Sequence, residues 1–371
     1  MKRDLFFELL RISIGAGNNL SRVPSVGEWS AIYEESERQA ISGILLHGIE
    51  MLPLEQRPPQ DMLLQWIGDG QMISQQNAVM NKAVVGLCRG LDGICSRYVV
   101  VKGQTLASLY SVKELRQSGD IDFLVHPDDW QKVFTIFSNE LGEDAIDAHS
   151  EKHVEWEKDD VTYEMHRWLN DFASIKHQLY WENVVMKEAW MQPFSVEING
   201  YKVPTLSPLY NVLYIFVHLF YHLINEGVGL RQFVDWYFLL LGFDFTIDDN
   251  EVLEKHLKGI GLYRAFVVCG AVLTEYLGLD ESKFPFEISE KDHQNSRKLI
   301  DNILEKGNFG HNTNYVQPHG VIHGLQQFWQ VLKQCFKFGK YAPSESWGYL
   351  FVKVRWWWKK LKIAIGFDRI E

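Results

Sequence analysis

Two aspartates, Asp120 and Asp122, stand two residues apart in the run Asp-Ile-Asp-Phe-Leu-Val that ends at Val125. On a β-strand, successive side chains alternate faces. Ile121, Phe123 and Val125 then point into a core, and the two carboxylates stand side by side on the other face. Like charges that close repel and raise one carboxyl pKa unless a cation lies between them. Held on a rigid strand just after Arg116 and Gly119, the pair is a platform for a hard divalent cation such as Mg²⁺. The competing reading is an edge strand with a solvated acidic face.

The preceding stretch favours the metal. Tyr98–Val101 is a short apolar run rich in β-branched residues, which reads as a buried strand. Lys102-Gly103 interrupts it, and glycine lets a ligand approach the main chain closely. Residues 104–110 favour a helix with Leu106, Leu109 and Tyr110 on one side. A strand, a turn and a helix N-terminus present outward N–H groups to an anion.

The segments Lys-Gly-Gln-Thr-Leu-Ala-Ser-Leu-Tyr (102–110) and Leu-Arg-Gln-Ser-Gly-Asp-Ile-Asp-Phe-Leu-Val (115–125) resemble the uncharacterised nucleotidyltransferase family of the DNA polymerase β-like superfamily. That superfamily carries a Gly-containing strand-to-helix turn, an Asp-x-Asp strand and a third carboxylate on a later strand. The third is matched here by Glu164 in Val-Thr-Tyr-Glu-Met-His. One departure is visible: the superfamily usually has Gly-Ser at the turn, where this chain has Lys102-Gly103-Gln104. The resemblance covers residues 98–169 in its motifs and extends loosely to residue 310.

The resemblance implies an α+β fold, with a small mixed β-sheet nucleotidyltransferase core (98–205) flanked by N-terminal (1–97) and C-terminal (206–371) helical regions. It also implies a metal-dependent transfer of a nucleoside monophosphate from an NTP to an acceptor hydroxyl. Asp120, Asp122 and Glu164 would hold Mg²⁺ or Mn²⁺. Lys102 and the N–H groups of Gly103 and Gln104 would hold phosphate charge, and Arg116 would offset charge developing on it. The acceptor stays open among small molecule, protein, sugar and RNA. Two other classes remain: an inactive nucleotide-binding regulatory module, and a helical interaction scaffold in which the Asp pair is incidental.

Helical patterning dominates both ends of the chain. Leu5, Leu9 and Ile12 mark one helix face, residues 27–49 a second helix, and residues 60–94 a long third one after a Pro-rich linker. These are expected to be packing layers. Residues 153–157 and 161–166 alternate around Lys158-Asp159-Asp160, a hairpin signal that puts Thr162, Glu164 and His166 on one face. A helix over 211–225 carries His218 and His222 four apart, on one face. Arg231 and Asp235 repeat that spacing on the next helix. Zinc at the His pair is disfavoured, since no third ligand accompanies it and Leu219 stands where a Glu is usual. A polar helix–helix contact is expected, bordering the nucleotide pocket if the resemblance holds.

The chain has 371 residues with a net charge of −11, which argues against general nucleic-acid binding. Four cysteines without metal-ligand spacing match a reducing, cytoplasmic setting. Cys88 and Cys95, seven apart, are expected on one helix face. Glu8 and Arg11 break the N-terminal apolar run, so no signal peptide is expected, and no stretch reads as a transmembrane segment. The basic, aromatic run 355–362 could touch a membrane surface or acidic partner, though helix packing with snorkelling lysines explains it more simply.

Overall fold

The computed structural model describes residues 3–142, 146–147, 151–225, 227–308, 321–351 and 354. Helices α1 (Arg3–Ser13), α2 (Val26–Arg38), α3 (Ser42–Met51) and α4 (Gln60–Asp92) precede the first strand. The single helix expected over 27–49 is therefore two. Ala40 between them has φ of +56°, a backbone state that cannot continue a right-handed helix. The long helix stops at Asp92, so Cys95 lies beyond it and shares no helix face with buried Cys88.

Strand β1 (Tyr98–Val101) leads through a turn into the short helix α5 (Gly103–Ala107), and β2 (Asp120–Val125) follows. The helix is shorter than the sequence pattern suggests. Leu106 and Tyr110 are buried, but Leu109 faces solvent. After α6 (Trp130–Leu141), strands β3 (His153–Lys158) and β4 (Val161–His166) form the expected hairpin, with Asp159 and Asp160 both at positive φ in its turn. The sheet order is β1-β2-β4-β3. It is mixed, because β2 and β4 run parallel while both outer pairings are antiparallel.

Helices α7 (Ile175–Tyr180) and α8 (Met186–Trp190), joined by a π-turn, lead to a separate hairpin of β5 (Phe194–Ile198) and β6 (Tyr201–Thr205). Its Asn199-Gly200 turn has both residues at positive φ, as two-residue hairpins require. The helices that follow include α9 (Pro208–Asn225), α10 (Leu230–Gly242), α11 (Ile247–Gly259), α12 (Tyr263–Val272), α13 (Glu290–Lys306) and α14 (Val321–Phe338). The chain is thus α+β, with helices on both sides of one small mixed sheet. The tail at 355–362 lies outside the described residues.

Strand alternation sorts the sheet between two cores. Ile121, Phe123 and Val125 pack with Val154, Trp156, Met165, α4 and α6 on one face. On the opposite face Val99, Val101 and Leu124 join a larger core built from α1–α3 and the C-terminal helices. Helix α9 is the axis of that core, apolar on nearly every side, as a fully enclosed helix must be. Each buried Leu or Phe on it contributes roughly 1.5–3 kcal/mol of apolar burial. No single helix among the described residues is long and apolar enough to cross a membrane.

Candidate active site

The parallel pairing of β2 with β4 builds the site. Its register sets Asp122 beside Glu164 and Asp120 beside Thr162. Because both strands share the pleat, all three carboxylates leave the same face of the sheet. One oxygen from each of Asp120, Asp122 and Glu164 lies within 4.8 Å of the others. Asp120 and Glu164 open onto a cavity of about 250 Å³ between the sheet and helices α9 and α10, while Asp122 is buried and forms no part of its wall. Lys102, Gly103, Arg116, Asp120 and Glu164 line it, together with Lys152, Tyr214, His218, His222 and Arg231.

The turn before α5 carries unusual backbone. Lys102 has φ of +57° and ψ of −149°, a region nearly reserved for glycine, and Gly103 follows at φ of +41°. Such conformations cost about 1–3 kcal/mol and are stable only where surroundings enforce them. Here the conformation turns the Lys102 side chain over the Asp face, with Nζ 2.7 Å from Asp122 Oδ1. Burial works against the ammonium, but Asp122, with Tyr214 and Asp120, outweighs it and lifts the lysine pKa above its ordinary value.

Charge is distributed unevenly over the two aspartates. Burial disfavours the Asp122 anion, yet Lys102 and His166 more than compensate and hold it well below the usual carboxylate range. His166 Nε2 reaches the same Oδ1 at 2.8 Å and lies 3.3 Å from Glu164 Oε2. Asp120 has the opposite fate. The Asp122 charge beside it, and then burial, raise its pKa. That is the signature of a carboxylate pair with less positive charge than it can accept.

Arg116 sits at the cavity wall but is engaged elsewhere. Its Nε and Nη2 make a bidentate pair with Asp235 of α10, at 2.7 and 2.8 Å, and Tyr110 donates to the same carboxylate at 2.6 Å. Gln104 also turns away from the cavity, its side chain donating to Asn81 and Asn77 of α4. Asn77 in turn donates to the carbonyls of Glu114 and Arg116, at 2.7 and 2.8 Å. One helix thereby fixes both the Lys102 turn and the chain that enters β2. Gly43 of α3 admits that segment closely, since a Cβ there would lie 2.3 Å from the Leu115 carbonyl oxygen.

Asn77, Asn81, Lys152 and Tyr214 went unnoticed as site residues in the sequence. Of these, Asn77 and Asn81 left a trace, as poor helix formers in the middle of a helix. The His218–His222 pair does border the cavity, with ring centroids 4.4 Å apart. Burial, then the charge of Lys102, depresses the pKa of both, and His222 falls to about 4. Arg231 reaches the cavity from α10 with its Nη1 on the Gln117 carbonyl and its buried Nε unpartnered.

The family described as uncharacterised nucleotidyltransferase matches residues 25–278. That span runs from the residue that caps α2 to Gly278, just beyond α12, and takes in every residue of the site. The chain belongs to this nucleotidyltransferase family. A solved structure of an antigenic nucleotidyltransferase-like protein from Paracoccidioides brasiliensis is also similar, at 14% identity over 54% of this chain and 92% of that one, with a TM-score of 0.33. No curated protein matches significantly. Membership of a nucleotidyltransferase family agrees with the donor set: three oxygen ligands converging in one cleft suit a hard divalent cation. The elevated Asp120 pKa fits the same cation, because its charge would relieve the repulsion.

Proposed function

We propose that this nucleotidyltransferase-family protein moves a nucleoside monophosphate from an NTP to an acceptor hydroxyl, with Mg²⁺ or Mn²⁺ held by Asp120, Asp122 and Glu164. The observation that carries the reading is the convergence of these three carboxylates beside a cavity lined by Asp120, Glu164, Lys102 and Arg231. A divalent cation at such a set supplies charge neutralisation for the triphosphate and lowers the pKa of a coordinated hydroxyl. The chain's own residues do the positioning. His166 fixes the Asp122 carboxylate through its Oδ1. Lys102, Lys152 and Arg231 supply positive charge for the phosphates, and Gly103 lets the phosphate chain approach the backbone. Arg116 acts at one remove, by locking α10 to the segment before β2. As the acceptor oxygen bonds to the α-phosphorus, the bond to the departing pyrophosphate breaks.

A second reading rests on one specific contact. Lys102 Nζ already occupies Asp122, and an ammonium in a cation's place suits a nucleotide-binding module that does not turn over. Labelled NTPs with Mg²⁺ or Mn²⁺ and a pool of metabolites, peptides and RNA separate the two. Transfer of label with pyrophosphate release, lost in Asp122→Asn, supports the enzyme. Metal-dependent NTP binding without release in either protein supports the module, and no NTP binding at all overturns both.

A further inference from the structure

Across the β3–β4 hairpin, His153 and His166 are directly opposed in register, with ring centroids 5.4 Å apart. Glu164 precedes His166 by two residues and so shares its face. One ligand atom from each of His153, Glu164 and His166 lies within 4.8 Å of the other two. The hydrogen bonding of His166 fixes its chemistry. Its Nε2 faces the Asp122 carboxylate at 2.8 Å, and a carboxylate only accepts, so Nε2 carries the proton. The Nδ1 of His166 takes no part in that contact. It is buried and has no hydrogen-bond partner, on a residue only 2% exposed. The Nδ1 of His153, across the hairpin, is also buried and unpartnered.

Buried polar atoms in folded proteins are nearly always satisfied, so two unpartnered imidazole nitrogens on directly opposed residues call for a ligand. A carboxylate that holds the far nitrogen of a histidine is the arrangement by which metal-ligating histidines are oriented. Asp122 stands in that relation to His166.

We propose that His153, His166 and Glu164 form a second cation site, of the zinc class, beside the carboxylate cluster and sharing Glu164 with it. Two imidazoles and one carboxylate select a borderline transition metal over Mg²⁺, which prefers oxygen donors and keeps its waters. Three protein ligands leave a position open for water or a ligand oxygen. The site shares Glu164 with the carboxylate cluster, but Zn²⁺ uptake is read without nucleotide, so its outcome is distinguishable from that of the nucleotidyl-transfer reading.

The test titrates Zn²⁺ into the full chain against a chromophoric chelator, without Mg²⁺, whose binding would engage the shared Glu164. Wild type is expected to take up one Zn²⁺ per chain. Affinity should fall about tenfold or more in His153→Gln, with unchanged circular dichroism because β3 is an edge strand. It should hold in His222→Gln, which removes the other histidine pair. Electron paramagnetic resonance of the Cu²⁺-loaded wild type gives a readout that needs no variant, and coupling to two imidazole nitrogens is expected. No Zn²⁺ uptake by wild type, equal affinity in His153→Gln, loss of binding in His222→Gln, or a Cu²⁺ spectrum without nitrogen coupling would each overturn the site.

Discussion

Lys102 Nζ lies 2.7 Å from Asp122 Oδ1, and both groups are almost wholly enclosed. The ion pair is the means by which the acidic face survives burial. Two aspartates on adjacent same-face positions carry more negative charge than the fold tolerates unaided, and the strained Lys102 turn delivers the counter-charge. A divalent cation held by Asp120, Asp122 and Glu164, as proposed, would bring the same relief, which would make Lys102 and metal partly interchangeable.

The first prediction follows from that exchange. Lys102→Met keeps the stem and removes the charge, leaving Asp122 buried and short of a partner. Breaking a buried pair this way costs about 3–5 kcal/mol. The melting temperature should fall sharply without metal and recover substantially with Mn²⁺. Thermal unfolding with and without Mn²⁺ measures it, and a variant equally unstable under both conditions would separate Lys102 from the cation site.

A second prediction concerns Arg116 and Asp235, which tie the segment before β2 to α10 through buried bidentate hydrogen bonds. Asp235→Ala strands a buried guanidinium and should lower stability by about 3–5 kcal/mol. The double variant Arg116→Met with Asp235→Leu removes both charges and should recover much of that loss. Urea unfolding midpoints for the set decide it. Additive losses in the double variant would mean that the two residues do not act as a pair.

The sequence was most legible where chemistry coincides with period-two alternation. The phase of the 120–125 and 161–166 runs placed Ile121, Phe123, Asp120, Asp122 and Glu164 on their faces, because a strand gives each side chain only two directions. The resemblance singled out Glu164, but its partner strand was not readable, since a parallel pairing is set by packing across the intervening α6. Arg116 illustrates the limit. Its type and position near the Asp pair suggested phosphate, and only the tertiary fold brings Asp235 against it from 119 residues away. Gln104 is similar, being drawn to Asn77 and Asn81 on a helix that reads as plain packing. Ala40 gave no warning of its positive φ, so two helices read as one.

The third prediction is a pH dependence. His222 is held at about 4, against an ordinary 6.5, by burial and then by the Lys102 charge. A histidine depressed in the folded state binds fewer protons there than in the unfolded chain between those values. Stability therefore rises with pH across that interval. The contribution is fully present above 6.5 and is lost as pH falls toward 4, on the order of 3 kcal/mol at most. His222→Asn should flatten the slope of unfolding free energy over pH 4 to 6.5. An unchanged slope would assign the acid sensitivity to other groups.

Asp120→Asn should divide stability from function. In the folded protein the Asp120 pKa is raised, first by Asp122 and then by burial. The linkage sign is the reverse of that for Asp122: stability associated with Asp120 is present below its unfolded pKa and is lost as pH rises through the folded one. At neutral pH the Asp120 charge therefore works against folding, and the near-isosteric amide removes it. The metal-free variant should unfold at a higher denaturant concentration than wild type at pH 7, with the difference shrinking as pH falls toward the ordinary Asp value of 3.8 and absent below it. The same change deletes one oxygen ligand, so the stabilisation that Mn²⁺ gives wild type should largely vanish. Nucleotidyl transfer should fall about 10³-fold, on the order of 4 kcal/mol of transition-state stabilisation. A destabilising side-chain change would lower both midpoint and activity, whereas a site residue raises one and lowers the other. Paired urea titrations with and without Mn²⁺ at pH 7 and pH 4 check the sign directly. A variant less stable than wild type without metal, yet still responsive to Mn²⁺, would show that Asp120 is a packing residue and not a cation ligand.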